Sequence, residues 1–222
     1  MYMQIEHSLV ISDSKTKPSS IRPGVVRAIG HRARNETYAV RVVDGYQYHR
    51  CDVVVEYSMP NIENMRLSGV YNSSIMDKIV YVPAVEWPYS PNPTSRRVHD
   101  FMFLYNKHKR LSRRDTIRTS LQRKIKNIIW PVPPIHGEVL RRTLDQTKIL
   151  INIHQTTFHH TLEEFRLLPA LCRGVIVISE EVPLAETVPY HEYIIFAPYE
   201  KLIDVAIAVR ANYSEYYERI HG

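Results

Sequence analysis

Nine short apolar runs, mostly β-branched, recur from one end of this chain to the other, with longer polar or amphipathic stretches between them. Residues 7–12, 38–43, 52–57, 78–82 and 100–105 read as strands, and so do 128–132, 149–153, 175–179 and 193–196. Most are almost unbroken in hydrophobicity, as strands covered on both faces of a parallel sheet must be. Between them, 114–127 carries Ile117, Leu121 and Ile125 on one stripe, and 162–172 and 202–219 repeat that helical pattern. Alternating strand and helix imply crossover connections and a doubly wound α/β sheet.

The run from Trp87 to Arg97 interrupts the alternation. Pro88, Pro91 and Pro93 stand there among Ser and Asn, a composition that continues neither a helix nor a central strand. It divides the chain into α/β halves at 1–92 and 93–222, expected to face each other across a cleft. Ligands of such sheets lie at the carboxyl ends of the strands, which directs attention to the loops that follow them.

Charge narrows the partner. The 222 residues carry 29 Lys and Arg against 23 Asp and Glu, a formal +6 that favours an anion. Cys51 and Cys172 build no disulfide framework, Met1 to His7 shows no secretory pattern, and no apolar run is long enough for a bilayer. A chain of the cytoplasm is expected. Patterns for a P-loop, a GxGxxG turn, a GxSxG elbow and HExxH are all missing, with only seven glycines in total.

Three clusters remain. In 101–114 a strand runs into Asn106, Lys107, His108, Lys109 and Arg110, then Ser112, Arg113 and Arg114 open a helix. Ser112 is suited to the N-cap, and cations beside a helix N-terminus suit a diphosphate. In 149–179, Asn152, His154, Gln155, Thr156 and Thr157 follow a strand, and His159, His160, Thr161, Glu163 and Glu164 lead into a helix. Thr161 can cap that helix, and the two glutamates serve its first turn equally well without any further role. After the first strand comes Asp13, either a general base for a hydroxyl or a turn cap. His31, Asp44, Glu56 and Glu86 are lesser candidates for the cleft, with Tyr46, Tyr48, Trp87 and Tyr89 as aromatic neighbours.

Residues 148–199 resemble the C-terminal half of GT-B glycosyltransferases. That half shows a helix of the form ExxRxxEALxxG, a strand ending in Ser-Glu, and a short strand near an aromatic. Here Glu163, Arg166, Ala170, Leu171 and Gly174 match the helix, Ser179-Glu180 the strand end, and 193–199 (YIIFAPY) the last strand. The motif's second glutamate falls at Pro169, and a glycine expected in the loop after Phe101 is replaced around Tyr105-Asn106.

The resemblance implies a compact GT-B fold with an acceptor-side half at 1–92 and a nucleotide-sugar half at 93–222. It implies transfer of a sugar from a nucleoside-diphosphate donor, first a UDP-sugar, to a glycan, with no resident cofactor and no metal. Lys107, Arg113 and Arg114 would neutralise the leaving diphosphate. Asn106, His154, Gln155, His160, Glu163 and Arg166 would line the rest of the donor site, and Asp13 would be the base of an inverting reaction. A looser likeness to glycan-building proteins of large DNA viruses suggests a deoxyhexose such as rhamnose, a host-cytoplasmic setting, and a place in a larger polypeptide. A non-catalytic nucleic-acid-binding module is the rival, because nine basic residues fall within 107–126. An inactive scaffold is the third reading.

Overall fold

The computed structural model describes residues 1–4, 10–11, 25–31, 36–42, 45–68, 71–85, 87–91, 96–105, 112–155 and 162–222. In 2–4, 10–11, 25–31, 36–42, 45–47 and 67–68 the description is of the backbone alone. Two compact units emerge. One comprises Met1–Ala84 with Thr156–Leu162 and Val182–Pro189; the other comprises Val85–Gln155, Glu163–Glu181 and Tyr190–Gly222.

The first unit holds β1 (Tyr2–Gln4), β2 (Val10–Ile11), β3 (Val25–His31), β4 (Glu36–Val42), α1 (Gly45–Arg50), β5 (Val54–Glu56), α2 (Met59–Ser68), α3 (Ser73–Met76) and β6 (Ile79–Tyr81). Strands β1, β5 and β6 pair in parallel, Tyr2 opposite Val54 and Val54 opposite Ile79. The run at 38–43 departs from the expected parallel pairing. Its described part, 38–42, lies in β4, which pairs antiparallel with both β2 and β3 in a separate three-stranded sheet. Tyr48, Val54, Met65, Tyr71 and Ile75 form this unit's buried cluster.

The second unit holds β7 (His99–Met102), α4 (Arg113–Gln122), β8 (Ile128–Ile129), α5 (Gly137–Asp145), β9 (Thr147–Asn152), α6 (Glu164–Cys172), β10 (Ile176–Glu180), β11 (Ile194–Ala197), α7 (Leu202–Ala211) and α8 (Tyr213–His221). Its five strands are all parallel, in the order β8-β7-β9-β10-β11. The two-residue alternation of a strand explains the layers. Phe101, Phe103, Ile149, Ile151, Ile176 and Ile178 join Ile117 and Leu121 of α4 and Leu202, Ala206 and Val209 of α7 in one core. Met102, Leu150 and Val177, on the alternate positions, are buried too, and α5 and α6 pack against β9. Sandwiched strands explain the unbroken apolar runs. Truncating Ile151 to Ala would cost about 2–5 kcal/mol, the range for emptying such a site.

Local chemistry sets where the helices begin and end. Ser112 caps α4 through a reciprocal box with Asp115: the Asp115 N–H donates to Ser112 Oγ (3.2 Å), and the Ser112 N–H donates to Asp115 Oδ2 (3.0 Å). Helix α6 stops at Gly174, whose φ of 70° is the left-handed conformation of a helix-terminating glycine. There the Val175 N–H reaches Ala170 O (3.0 Å) and the Gly174 N–H reaches Leu171 O (2.9 Å). A Cβ on Gly174 would meet Pro91 Cβ at 2.8 Å, so both backbone and space require glycine. The single helix expected over 202–219 is two, because Asn212 turns its amide back onto Ala208 O (3.0 Å).

Candidate functional site

Four strands of the second unit deliver polar side chains to the carboxyl end of its sheet. After β7 comes Tyr105; after β9, His154; at the end of β10, Glu180; beyond β11, Tyr199. The first turns of α4 and α6 supply Arg113, Arg114 and Arg166, with Glu163 in the N-cap position of α6.

Arg113 is the most engaged of these. It donates to Glu180 through both terminal nitrogens, at 2.6 Å to Oε2 and 2.7 Å to Oε1, a fork that fixes its plane. Its guanidinium lies 4.0 Å from the centre of the Tyr199 ring, and the Tyr199 hydroxyl donates to the Arg113 carbonyl (3.0 Å). Glu180 also accepts the backbone N–H of His154 (2.9 Å), joining the ends of β9 and β10 to the start of α4.

Arg114 points inward and is only 4% exposed. Its Nε donates to Ile153 O (2.7 Å), and its terminal nitrogen pairs with Glu163. Arg166 pairs with the other oxygen of that carboxylate. The commitment explains why Glu163 makes no capping hydrogen bond at its own helix: its carboxylate is held between two arginines. The expected cap, Thr161, lies outside the described residues.

A second layer holds α4 in place. Tyr105 donates to Asp115 Oδ1 (3.0 Å) and accepts from Arg118 Nε (2.9 Å). Burial, with Asp115 beside it, pushes the Tyr105 hydroxyl up to about 12 against the pull of Arg118, so it stays a donor at neutral pH. Burial would likewise raise the Asp115 carboxyl. The Ser112 N–H and hydroxyl, Tyr105 and Arg118 together reverse that and hold it below the usual carboxylate range. Trp130 stacks on Tyr105 at 5.2 Å, and Arg118 covers Trp130 at 4.0 Å.

Beside this network is a cavity of about 320 Å³. Tyr105, Pro134, His136, Leu140, Phe165 and Arg166 are among its walls. Its described walls are largely apolar, with Arg166 the one Lys or Arg among them, the make-up of a small-ligand pocket.

Of the residues expected at the site, Arg113, Arg114, His154, Glu163 and Arg166 come together here, and Gln155 is exposed directly after His154. Asp13, Asn106, Lys107 and His160 lie outside the described residues. So do Asp44 and Glu86. Pro169 is buried inside α6, leaving no polar group where the family motif has its second glutamate. In the first unit Glu56 is buried, its Oε1 accepting the N–H groups of Tyr57 and Ser58 and the amide of Asn61, the pattern of a local cap. Sequence reasoning passed over Glu180, Tyr199, Tyr105 and Trp130 as site residues. The Ser-Glu strand end was the available signal for Glu180 and the aromatic after the last strand that for Tyr199; Tyr105 and Trp130 carried none. Among the described residues no three His, Cys, Asp or Glu side chains gather as a metal would require. Among the described residues, no helix is long and apolar enough to cross a membrane.

No protein-family model matches the chain. Uncharacterized protein R358 of Acanthamoeba polyphaga mimivirus is 29% identical over 79 residues, 34% of this chain and 28% of that protein. Among solved structures, that of TarM superposes with a TM-score of 0.48 at 8% identity. That superposition spans 88% of this chain and 45% of TarM. The chain therefore spans less than half the length of either protein, and likeness this remote leaves function to be argued from the site.

Proposed function

We propose that the chain is a glycosyltransferase whose second unit binds a nucleoside-diphosphate sugar at the carboxyl end of the five-stranded sheet. One observation carries the reading: Arg113 and Arg114 occupy the first two positions of α4, where the helix dipole disfavours cations and favours anions. Natural chains give up stability in this way at functional sites. The diphosphate meets the outer edge of Arg113 and the first turn of α4. Glu180 and Tyr199 hold the guanidinium in plane, and Arg114 positions Glu163 and Arg166 from beneath. The nucleoside occupies the cavity beside Arg166, between Phe165, Tyr105 and the Pro134-Ile135-His136 wall. As the sugar departs, charge accumulates on the diphosphate, and donors already oriented stabilise it without reorganising. Lys107 and Asn106 add to the diphosphate contacts, and His154, Gln155 and His160 line the sugar side.

The donor is a UDP-sugar, with a deoxyhexose such as rhamnose as the transferred unit and a glycan as acceptor. In an inverting reaction Asp13 takes the acceptor's proton. The setting proposed is the cytoplasm, that of the host for a viral chain, with a larger polypeptide around this piece. The rival nucleic-acid reading is weakened at Arg113, Arg114 and Arg118, which turn to internal carboxylates instead of a solvated stripe.

The test is a thermal-shift screen against nucleoside diphosphates with and without magnesium. A ligand that binds only the folded state raises Tm by mass action. UDP should raise it without metal, and Arg113→Ala should diminish the rise at the same UDP concentration. A rise with oligonucleotides alone would return the chain to the nucleic-acid class.

A further inference from the structure

A second cavity lies in the same unit, walled by the later turns of α6, the end of α8 and the residues that precede β11. Its volume is about 410 Å³, within the ~300–1,000 Å³ of ligand pockets. Leu168 and Leu171 contribute α6's side, and Tyr89, Tyr190, Tyr193 and His221 bring four aromatic rings. It shares no wall residue with the cavity beside Arg166.

The described polar side chains here are set and uncharged. His221 Nε2 lies 3.3 Å from the Val175 carbonyl, which can only accept, so that nitrogen carries the proton. Nδ1 is then the acceptor for the Tyr89 hydroxyl at 3.4 Å, and the two rings stack at 6.3 Å and 28°. Burial, helped by the charge of Arg97 and opposed by the Val175 carbonyl, pushes the imidazole's pKa below its ordinary value, so it is neutral at pH 7. The Tyr190 hydroxyl donates to Glu164 at 2.5 Å, which holds that ring as a fixed wall. Among the described residues, no Lys, Arg, Asp or Glu side chain lines the cavity. Yet Tyr89 is 59% exposed and Tyr193 50% exposed, so large aromatic surface is left facing water around a hollow.

That combination selects the ligand's chemistry. A phosphate or carboxylate would find no cationic side chain on the described walls, so its charge would not be offset on leaving water. A neutral pyranose suits them: its C–H faces lie against the electron-rich faces of tyrosine rings, and its hydroxyls meet phenol and imidazole groups. We propose that the hollow walled by Tyr89, Tyr190, Tyr193, Leu168, Leu171 and His221 binds a neutral saccharide unit. The site is separate from that of the diphosphate and does not depend on the donor reading.

Saturation-transfer NMR with a set of neutral methyl hexopyranosides and 6-deoxyhexopyranosides, with choline and UDP as comparison ligands, tests it. Saturation should reach the ring C–H protons of at least one glycoside. Tyr193→Ala and Tyr89→Ala, both at exposed side chains, should each weaken that glycoside by about fivefold. Arg113→Ala, which removes the diphosphate contact, should leave glycoside binding unchanged. No transfer to any glycoside, transfer indifferent to both tyrosine variants, or choline binding more tightly than every glycoside would overturn the proposal.

Discussion

The two ends of the five-stranded sheet use the same ingredients to opposite effect. At the amino end, Asp100 of β7 binds Lys148 of β9 (2.7 Å) and Arg210 of α7 (2.9 Å), tying two strands to the helix above them. Arg97 donates to the carbonyls of Leu144, Thr147 and Arg173, at or just beyond the C-termini of α5 and α6, where cations are favoured. Arg97 there follows the rule for stability. At the carboxyl end two arginines stand on a helix N-terminus and two glutamates restrain them. A fold that needed only stability would have placed Glu or Asp in those positions. The amino end reads as a clamp, and the carboxyl end carries the charge arrangement on which the proposed anion site rests.

The sharpest way to break that contrast is Glu163→Ala, which leaves the buried Arg114 without its carboxylate. A loss of about 3–5 kcal/mol in chemical denaturation is expected, the cost of stranding a buried charge. A loss under about 1 kcal/mol would mean that Arg114 reaches another partner. Next in size is Asp100→Ala. Lys148 and Arg210 are each about a third or more exposed and can turn to water, so about 1–3 kcal/mol should be lost, with UDP affinity unaltered. Any change in nucleotide affinity would end the division of labour between the two ends.

Arg113→Ala should do the reverse. It should weaken UDP by about tenfold in calorimetric titration, equivalent to about 1.4 kcal/mol, because a charge-assisted contact is lost. Acid provides a fourth test. Burial raises the Asp100 carboxyl, but the hydrogen bonds and charges of Lys148 and Arg210 outweigh it and leave the pKa lowered. Its contribution is therefore complete above the unfolded value of about 3.9 and disappears as pH falls through the lower folded value. Denaturation midpoints should drop below about pH 4 in the native chain and drop less steeply in Asp100→Ala. The smallest effect belongs to Glu138→Ala on the surface of α5, where a pair of exposed arginine contacts should leave the midpoint unmoved.

What the sequence disclosed follows from which forces are local. The core strands β7, β9 and β10 were legible because burial on both faces makes Phe101-Met102-Phe103, Ile149-Leu150-Ile151 and Ile176-Val177-Ile178 continuously apolar. Strand β3 was not, since Arg27 and Gly30 break its pattern, and α2 hid because it buries Asn61 and Asn64 alongside Ile62 and Met65. Ser112 could be named as a cap because its partner lies three residues away. Glu180 could not be matched to Arg113, 67 residues distant, because that pairing exists only once β10 lies near α4. Arg113 and Arg114 were correctly marked as cations at a helix start, but their opposite orientations depend on Ile153 and Glu180, which no local pattern encodes.

The fork between Arg113 and Glu180 also has a kinetic consequence. With Glu163 set against Arg114 and Arg166 as well, the described cluster shows an approaching anion about one net positive charge instead of three. Beyond the ~8–10 Å over which physiological salt screens charge, that is a weak field. Encounter of a nucleotide with this cluster should therefore vary little between low and physiological ionic strength. The selectivity it provides would appear in how long the ligand stays, once phosphate oxygens sit close enough to feel Arg113 separately from its carboxylate.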